Sequence, residues 1–466
     1  MARGKKKEST LTPEEKLAQA LVPVEEQPYK VPENWCWAKL SALSTLISKG
    51  TTPTGGKNAY VSEGVHFLRV ENINDDGTIS HDNIACVTEQ MHTGFLKRSV
   101  LENRDVLVSI AGTLGKTGIV RDIDLPLNTN QAVAFVRLKT EDVNERYIKG
   151  VIDNPITQEL LLGKTKVTSI PNLTLEIIGD CLIPLAPIAE QQRIVDRIEY
   201  LFAKLDEAKE KAQSVLDSFE TRKAAILHKA FTGELTAKWR AEHDMALEGW
   251  YNTTVGDLFD VFSGKGFKEK EYSSSGVKLL RISNVTYDEL VWEDTKYLPV
   301  EYLETVPELV LRPGDIVMAL NRPITNGKLK VSIVDDQEYY ILYQRVGCLR
   351  KRDPLNSTQY LQYALLSQAF IHQVESRLQG SDQPYVNLPP LKSLTISMCS
   401  EHEQMEIVRI LDSLFAKEQQ AKEAAEAVLE KIDLLKKSIL ARAFRGELGT
   451  NDPTEESAME LLKRTL

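Results

Sequence analysis

One helical tract occurs twice in this chain, at a displacement of 213 residues, and that repeat restricts the possible folds more than any other feature. Glu190-Gln191-Gln192-Arg193-Ile194-Val195 returns as Glu403-Gln404-Met405-Glu406-Ile407-Val408. Leu201-Phe202-Ala203-Lys204 returns unchanged as Leu414-Phe415-Ala416-Lys417, and residues 223–235 return as 436–448. The three anchors share one offset, so each tract has kept its length. The segments upstream match only loosely. Two variable modules on two constant spacers is the organisation this implies, and it suits a protein that reads two targets a set distance apart.

Each spacer reads as one long helix. Ile194, Ile198, Leu201, Leu205, Ala208, Ala212, Val215, Phe219 and Ile226 alternate by fours and threes, broken by Arg222. The second seam runs Ile407, Leu411, Leu414, Ala421, Ala425, Val428, Ile432, Leu435 and Ile439, with Glu418 as its polar interruption. A tract of about 40 residues would span roughly 60 Å and cannot bury its stripe alone. The simplest solution is that the two helices pair with each other. Because a module separates them in sequence, an antiparallel pair with the modules at opposite ends is expected. Gly233 and Gly446 follow Phe231 and Phe444 as matched C-caps. Thr12-Pro13-Glu14-Glu15 predicts a helix start, and Asp452-Pro453-Thr454-Glu455 predicts another near the C-terminus. The first seven residues are expected to be disordered.

The modules have a different texture, with short β-rich runs between Gly, Asn and Asp turns. Residues 65–70, 105–110 and 132–138 predict strands in the first, and 277–282, 315–320 and 345–349 predict their partners. A helical stretch follows near Tyr147 and Tyr360, again 213 apart. The fold class is therefore α+β: two pseudo-repeated α+β domains separated by long helices that pair as an antiparallel coiled coil.

Catalytic signatures are missing. Gly112-Thr113-Leu114-Gly115-Lys116-Thr117 imitates a phosphate-binding loop, but Ile110 stands where the first glycine belongs and a strand, not a helix, is predicted after it. Asn154-Pro155-Ile156-Thr157 lacks the second proline and the aromatic of an adenine-methyltransferase tetrad. Cys36, Cys86, Cys181, Cys348 and Cys399 form no C-x-x-C pair, which fits a reducing, cytoplasmic setting without disulfides or structural zinc. No apolar run is long enough for a membrane span. The net charge of -10 is unusual for a chain gripping many phosphates. Lys plus Arg balance Asp plus Glu at 15 and 15 over residues 36–170, and stand at 15 against 18 over 250–390. Such a chain reads as a binder that does not supply most of the electrostatic grip itself.

The residues resemble a known family, the specificity (S) subunit of type I restriction–modification systems. The resemblance rests on the module entrances Pro32-Glu33-Asn34-Trp35 and Glu248-Gly249-Trp250, on the exit run Ile183-Pro184-Leu185-Ala186-Pro187-Ile188-Ala189-Glu190-Gln191, and on the Gly-Glu-Leu helix endings. The loop Gln379-Gly380-Ser381-Asp382-Gln383-Pro384-Tyr385-Val386-Asn387 is also similar. The second exit, Ser397-Met398-Cys399-Ser400-Glu401-His402, departs from the pattern by losing its prolines.

The resemblance implies the following division: 1–33 tail and short helix, 34–189 first target-recognition domain, 190–240 first helical spacer, 241–400 second target-recognition domain, 401–448 second spacer, 449–466 tail and short helix. It implies a non-catalytic DNA-binding subunit for host defence, each domain reading half of a bipartite double-stranded DNA target. It also implies two modification subunits that methylate adenine and two restriction subunits. S-adenosylmethionine, ATP and Mg belong to those partners, and this chain holds no cofactor and no metal. Polar side chains on loops at sheet edges are the expected DNA contacts: Ser48, Lys49, Thr51, Arg69, Asn72, Thr113, Lys116, Asn130, Gln131 and Lys166 in the first domain. In the second they are Lys265, Arg281, Asn284, Arg322, Asn326, Lys328, Gln344, Arg345, Ser381 and Gln383. Two other classes stay open on the residues alone: a methyltransferase or nuclease of unrecognised type, and a coiled-coil protein scaffold.

Overall fold

The computed structural model describes residues 12–163, 172–287, 289–334 and 338–466. The seven N-terminal residues and Lys166 lie outside them. The chain divides into two compact units, one formed by the residues up to Lys211 together with Val428–Leu466, the other by Ala212–Ala427.

The first unit carries β1 (Cys36–Lys39), β2 (Ser44–Lys49), β3 (Val65–Leu68), β4 (Ala85–Val87), β5 (Val106–Ser109), β6 (Thr117–Ile119), β7 (Leu127–Thr129), β8 (Val133–Leu138) and β9 (Leu182–Leu185). These form a four-stranded sheet β2-β8-β5-β6, a three-stranded sheet β4-β3-β7 and the pair β1-β9. Both central strands of the larger sheet are buried on two faces, which explains their unbroken apolar runs. Val106, Val108, Ala134 and Val136 face the helical core, while Leu107, Val133 and Phe135 face the smaller sheet.

The second unit repeats this plan with β10 (Tyr251–Thr254), β11 (Phe259–Ser263), β12 (Val277–Leu280), β13 (Lys296–Leu298), β14 (Ile316–Ala319), β15 (Ile324–Thr325), β16 (Lys328–Leu329), β17 (Val331–Ile333), β18 (Tyr340–Leu342), β19 (Val346–Lys351) and β20 (Thr395–Met398). The orders β11-β19-β14-β17, β13-β12-β18 and β10-β20 match strand for strand. The added element is the small hairpin β15-β16, turned by Asn326 and Gly327 at φ 51° and 71°. Helices Glu145–Asp153 and Thr358–Leu365 follow β8 and β19, as the Tyr147 and Tyr360 stretches predict.

The long helices are Ile188–Phe231 and Glu401–Ala443, ended by Gly233 and Gly446 at φ 79° and 76°. They pack against each other in antiparallel sense. Within the first unit Lys436 Nζ meets Asp206 at 2.6 Å and lies 5.1 Å over the Phe202 ring. Within the second, Lys422 covers Phe219 and Lys223 covers Phe415, each at 5.3 Å. The two polar interruptions find each other: Arg222 Nε is 2.8 Å from Glu418. They form a registering contact within a largely apolar seam.

Three seam positions need correction, the exposed Ala421 among them. Ile194, Ile407, Leu411 and Ile432 are buried, but Val428 and Leu435 are 40% and 48% exposed. Leu429 and Lys436, one residue further on, turn inward instead. Adjacent apolar residues leave the phase of a helical stripe ambiguous, as at Val428-Leu429, whereas Leu434 and Leu435 are both exposed and the inward position beside them is taken by the stem of Lys436 over Phe202. Ile198, Leu201, Leu205, Leu414, Val215, Phe219, Ile226 and Ile439 are half-buried.

Of the two predicted terminal helix starts, the first is present, with Thr12 and Glu15 capping Pro13–Ala20 reciprocally. The second is displaced. Asp452 accepts from the backbone and hydroxyl of Thr454 in a tight turn, and the last helix, Ala458–Thr465, is capped by Ser457. Glu455 bonds Arg193 through both carboxylate oxygens at 2.8 Å. Among the described residues no helix is long and apolar enough to cross a membrane.

Candidate nucleic-acid interface

Each module ends in a tip where the larger sheet meets the smaller one. In the first, Gly50 N–H donates to Val133 O (3.0 Å), Thr51 N–H to Thr129 O (3.1 Å) and Asn130 N–H to Leu68 O (3.1 Å). Ser48, Lys49, Thr51, Arg69, Asn130 and Gln131 are thereby gathered where β2, β3, β7 and β8 converge. Gly50 permits the approach, since a Cβ there would lie 2.1 Å from Asn130 O. In the second tip Gly264 does the same against Leu342 O at 2.2 Å, and Lys265, Arg281, Gln344 and Arg345 gather around it.

The expected contact residues fall into distinct groups. Lys49, Thr113, Gln131, Lys265, Arg322, Asn326, Gln344, Arg345, Ser381 and Gln383 are exposed, and Ser48, Thr51 and Asn130 are half-buried. Arg322 joins Ser381 and Gln383, because its N–H donates to Pro384 O at 2.6 Å. Arg322 and Arg345 share a further property: both sit at positive φ, 45° and 68°, and neither guanidinium has a partner among the described residues. Left-handed backbone is costly for any L residue with a Cβ, and such outliers concentrate at functional loops.

Other charged candidates are tied within the module. Lys116 meets Asp75 at 3.1 Å, Arg69 meets Glu71 at 3.6 Å, and Arg281 meets Asp294 at 2.7 Å. Lys328 is held 2.5 Å from Glu220 of the first long helix, beside a cleft of about 690 Å³ that Tyr287, Leu366 and Lys422 also line.

Asn72 and Asn284 are corrected as base readers. They are only 5% and 2% exposed. Each side-chain oxygen accepts from the backbone N–H three residues earlier, of Arg69 (3.0 Å) and Arg281 (2.9 Å), and so closes the turn after β3 or β12. Asn326 supplies the left-handed turn of its hairpin.

Beneath the tips lies chemistry that sequence patterns did not single out. Arg137 grips the buried Asp105 through Nε (2.9 Å) and Nη2 (2.8 Å), and Arg350 grips Asp315 at 2.9 and 2.7 Å. Burial pushes the Asp105 carboxyl up in spite of the guanidinium beside it. At the module bases Trp35 Nε1 donates to Glu190 at 2.7 Å, and Trp250 Nε1 to Glu403 at 3.0 Å. Gln191 accepts from Asn144 N–H and donates to Ala186 O; Gln404 accepts from Ser357 N–H and donates to Cys399 O. The repeated Glu-Gln therefore fastens each module to its helix. The signal was available in the 213-residue repeat of Glu190-Gln191, but not the partners.

Each unit carries the same scaffold with a polar tip of its own, and comparison with known proteins agrees with this organisation. The chain matches the type I restriction modification DNA specificity domain over residues 32–216 and again over 247–431. It is 31% identical, over 86% of its length and 92% of the relative's, to the type I restriction enzyme MjaVIII specificity subunit of Methanocaldococcus jannaschii. Identity to the EcoKI specificity subunit of Escherichia coli is 23%, covering 90% of each chain. The fold also resembles the crystal structure of the HsdS subunit from Thermoanaerobacter tengcongensis, with a TM-score of 0.65 at 20% identity, covering 91% of this chain and all of that one. This chain belongs to the family of type I restriction–modification DNA specificity proteins and carries two copies of its defining domain.

Proposed function

We propose that this chain is the non-catalytic specificity subunit of a type I restriction–modification complex, and that each tip reads one half of a split double-stranded DNA target. One observation carries the reading: two modules share topology and buried anchors strand for strand but differ at their exposed tips. A scaffold used twice with different tips suits two half-sites of different sequence. The paired helices set the gap between the half-sites and dock two modification and two restriction subunits. Those subunits carry S-adenosylmethionine, ATP and Mg, and their basic surfaces supply the phosphate grip that a chain of net charge -10 lacks. With both tips on one DNA face, half-sites lie about one helical turn, roughly 34 Å, apart.

Removing one heptad from each long helix tests the reading. The recognised gap should change, or recognition should be lost, while both half-site sequences persist in whatever is still bound. An unchanged gap would refute the ruler.

A further inference from the structure

The two tips are built on the same backbone bonds and carry different side chains. Gly50 N–H bonds Val133 O as Gly264 N–H bonds Val346 O, at 3.0 and 3.3 Å. Asn130 N–H bonds Leu68 O as Tyr343 N–H bonds Leu280 O, at 3.1 and 3.0 Å. Ile110 N–H bonds Ala132 O as Leu320 N–H bonds Arg345 O, at 2.8 and 2.9 Å. These bonds set position against position: Thr51 with Lys265, Gln131 with Gln344, and Ala132 with Arg345.

Resting on the recognition reading above, we infer that the like pair makes a contact common to both half-sites, and that the unlike pairs set the sequence difference between them. Gln131 and Gln344 are both exposed and offer a donor and an acceptor on one planar amide, the pattern that matches adenine N6 and N7 in the major groove. Lys265 and Arg345 are exposed cations whose donors match guanine O6 and N7. Of their counterparts, Ala132 has no side-chain donor, and Thr51 offers one neutral hydroxyl that carries no preference for guanine. The second half-site therefore carries guanine where Lys265 and Arg345 reach, and the first half-site has no equivalent requirement.

The test is selection from a DNA library with both half-sites randomised, using the full chain co-purified with its modification subunit. K265T and R345A should each remove a guanine preference from the second half-site and weaken binding to the parental sequence on the order of 10- to 100-fold, leaving the first half-site untouched. K265T places an ordinary residue at an ordinary exposed position, so the test does not depend on alanine tolerating the positive φ of residue 345. Q131A and Q344A should relax the same base, each in its own half-site. If neither K265T nor R345A changes the second half-site, or if both weaken all sequences alike, the unlike positions are not the discriminators. If the two glutamine variants relax different bases, the shared contact is refuted. A parental complex that enriches no split sequence overturns the recognition reading itself.

Discussion

The two modules agree where geometry is enforced by burial and disagree where water and ligand meet the surface. Tyr147 donates to Pro184 O and Tyr360 to Ser397 O, a shared clamp across the last strand. The Trp–Glu, Gln–backbone and Arg–Asp contacts recur with it. At the tips, Thr51 stands against Lys265 and Ala132 against Arg345, and the β5–β6 loop is replaced by the β15-β16 hairpin. A buried charge without its partner destabilises the fold, so each anchor fixes its neighbours, whereas an exposed side chain leaves the backbone beneath it intact. That difference lets one scaffold host two specificities.

The Arg–Asp pairs give the largest expected effect. R137A and R350A each strand a buried carboxylate and should destabilise their own unit by about 3–5 kcal/mol in denaturant titrations followed by limited proteolysis. Equal losses sharpen the comparison; a loss confined to one unit breaks it. The module bases are less symmetrical. Glu403 is held by Trp250, Thr236 and the cation Arg240 at 2.5 Å, while Glu190 is held by Trp35, Thr450 and Asn451, all neutral. R240A should therefore cost about 3–5 kcal/mol and N451A about 1–3 kcal/mol, measured the same way. Arg222 and Glu418 form a half-exposed pair, so R222E or E418R alone should cost about 1 kcal/mol, and the charge-swapped double variant should regain most of it.

The smallest effect is a pH dependence confined to the first module. His66 on β3 contacts His81 ring to ring (Nδ1 to Nδ1, 3.2 Å), and His81 in turn meets Asp124 at 2.9 Å. Burial, then the neighbouring His81, holds the His66 imidazole below its usual value. The unfolded chain then binds the proton more readily than the folded one, so stability falls as pH drops below about 6.5. The equivalent strand position in the second module is Lys278, which pairs with Glu338 and has no histidine beside it in the strand. Glutamine in place of His66 should flatten the fall in first-module melting temperature between about pH 7 and 5 and leave the second module unchanged.

The helices, their caps and the central strands were legible because apolar periodicity and turn residues act locally. Ile194 and Ile407, Gly233 and Gly446, and the 105–110 and 315–320 strands needed no tertiary information. The phase of the second helix was lost at Val428-Leu429, where two apolar residues adjoin, and at Leu435, where the inward place is taken by the amphipathic Lys436. Asn72 and Asn284 looked like readers because asparagine can both read a base and close a turn, and only burial separates the two uses. The equivalence of Thr51 with Lys265 was hidden because their offset is 214 and not the 213 of the helices, and the backbone bonds of Gly50 and Gly264 restore it, whereas Gln131 with Gln344 and Ala132 with Arg345 keep the helical offset.

The central claim, that this chain directs methylation to a split sequence, is tested most directly by mapping N6-methyladenine across the genome of cells that express the partner subunits, with and without this gene. The account predicts the loss of one motif, two short half-sites around a fixed gap. A map unchanged by the deletion would contradict it.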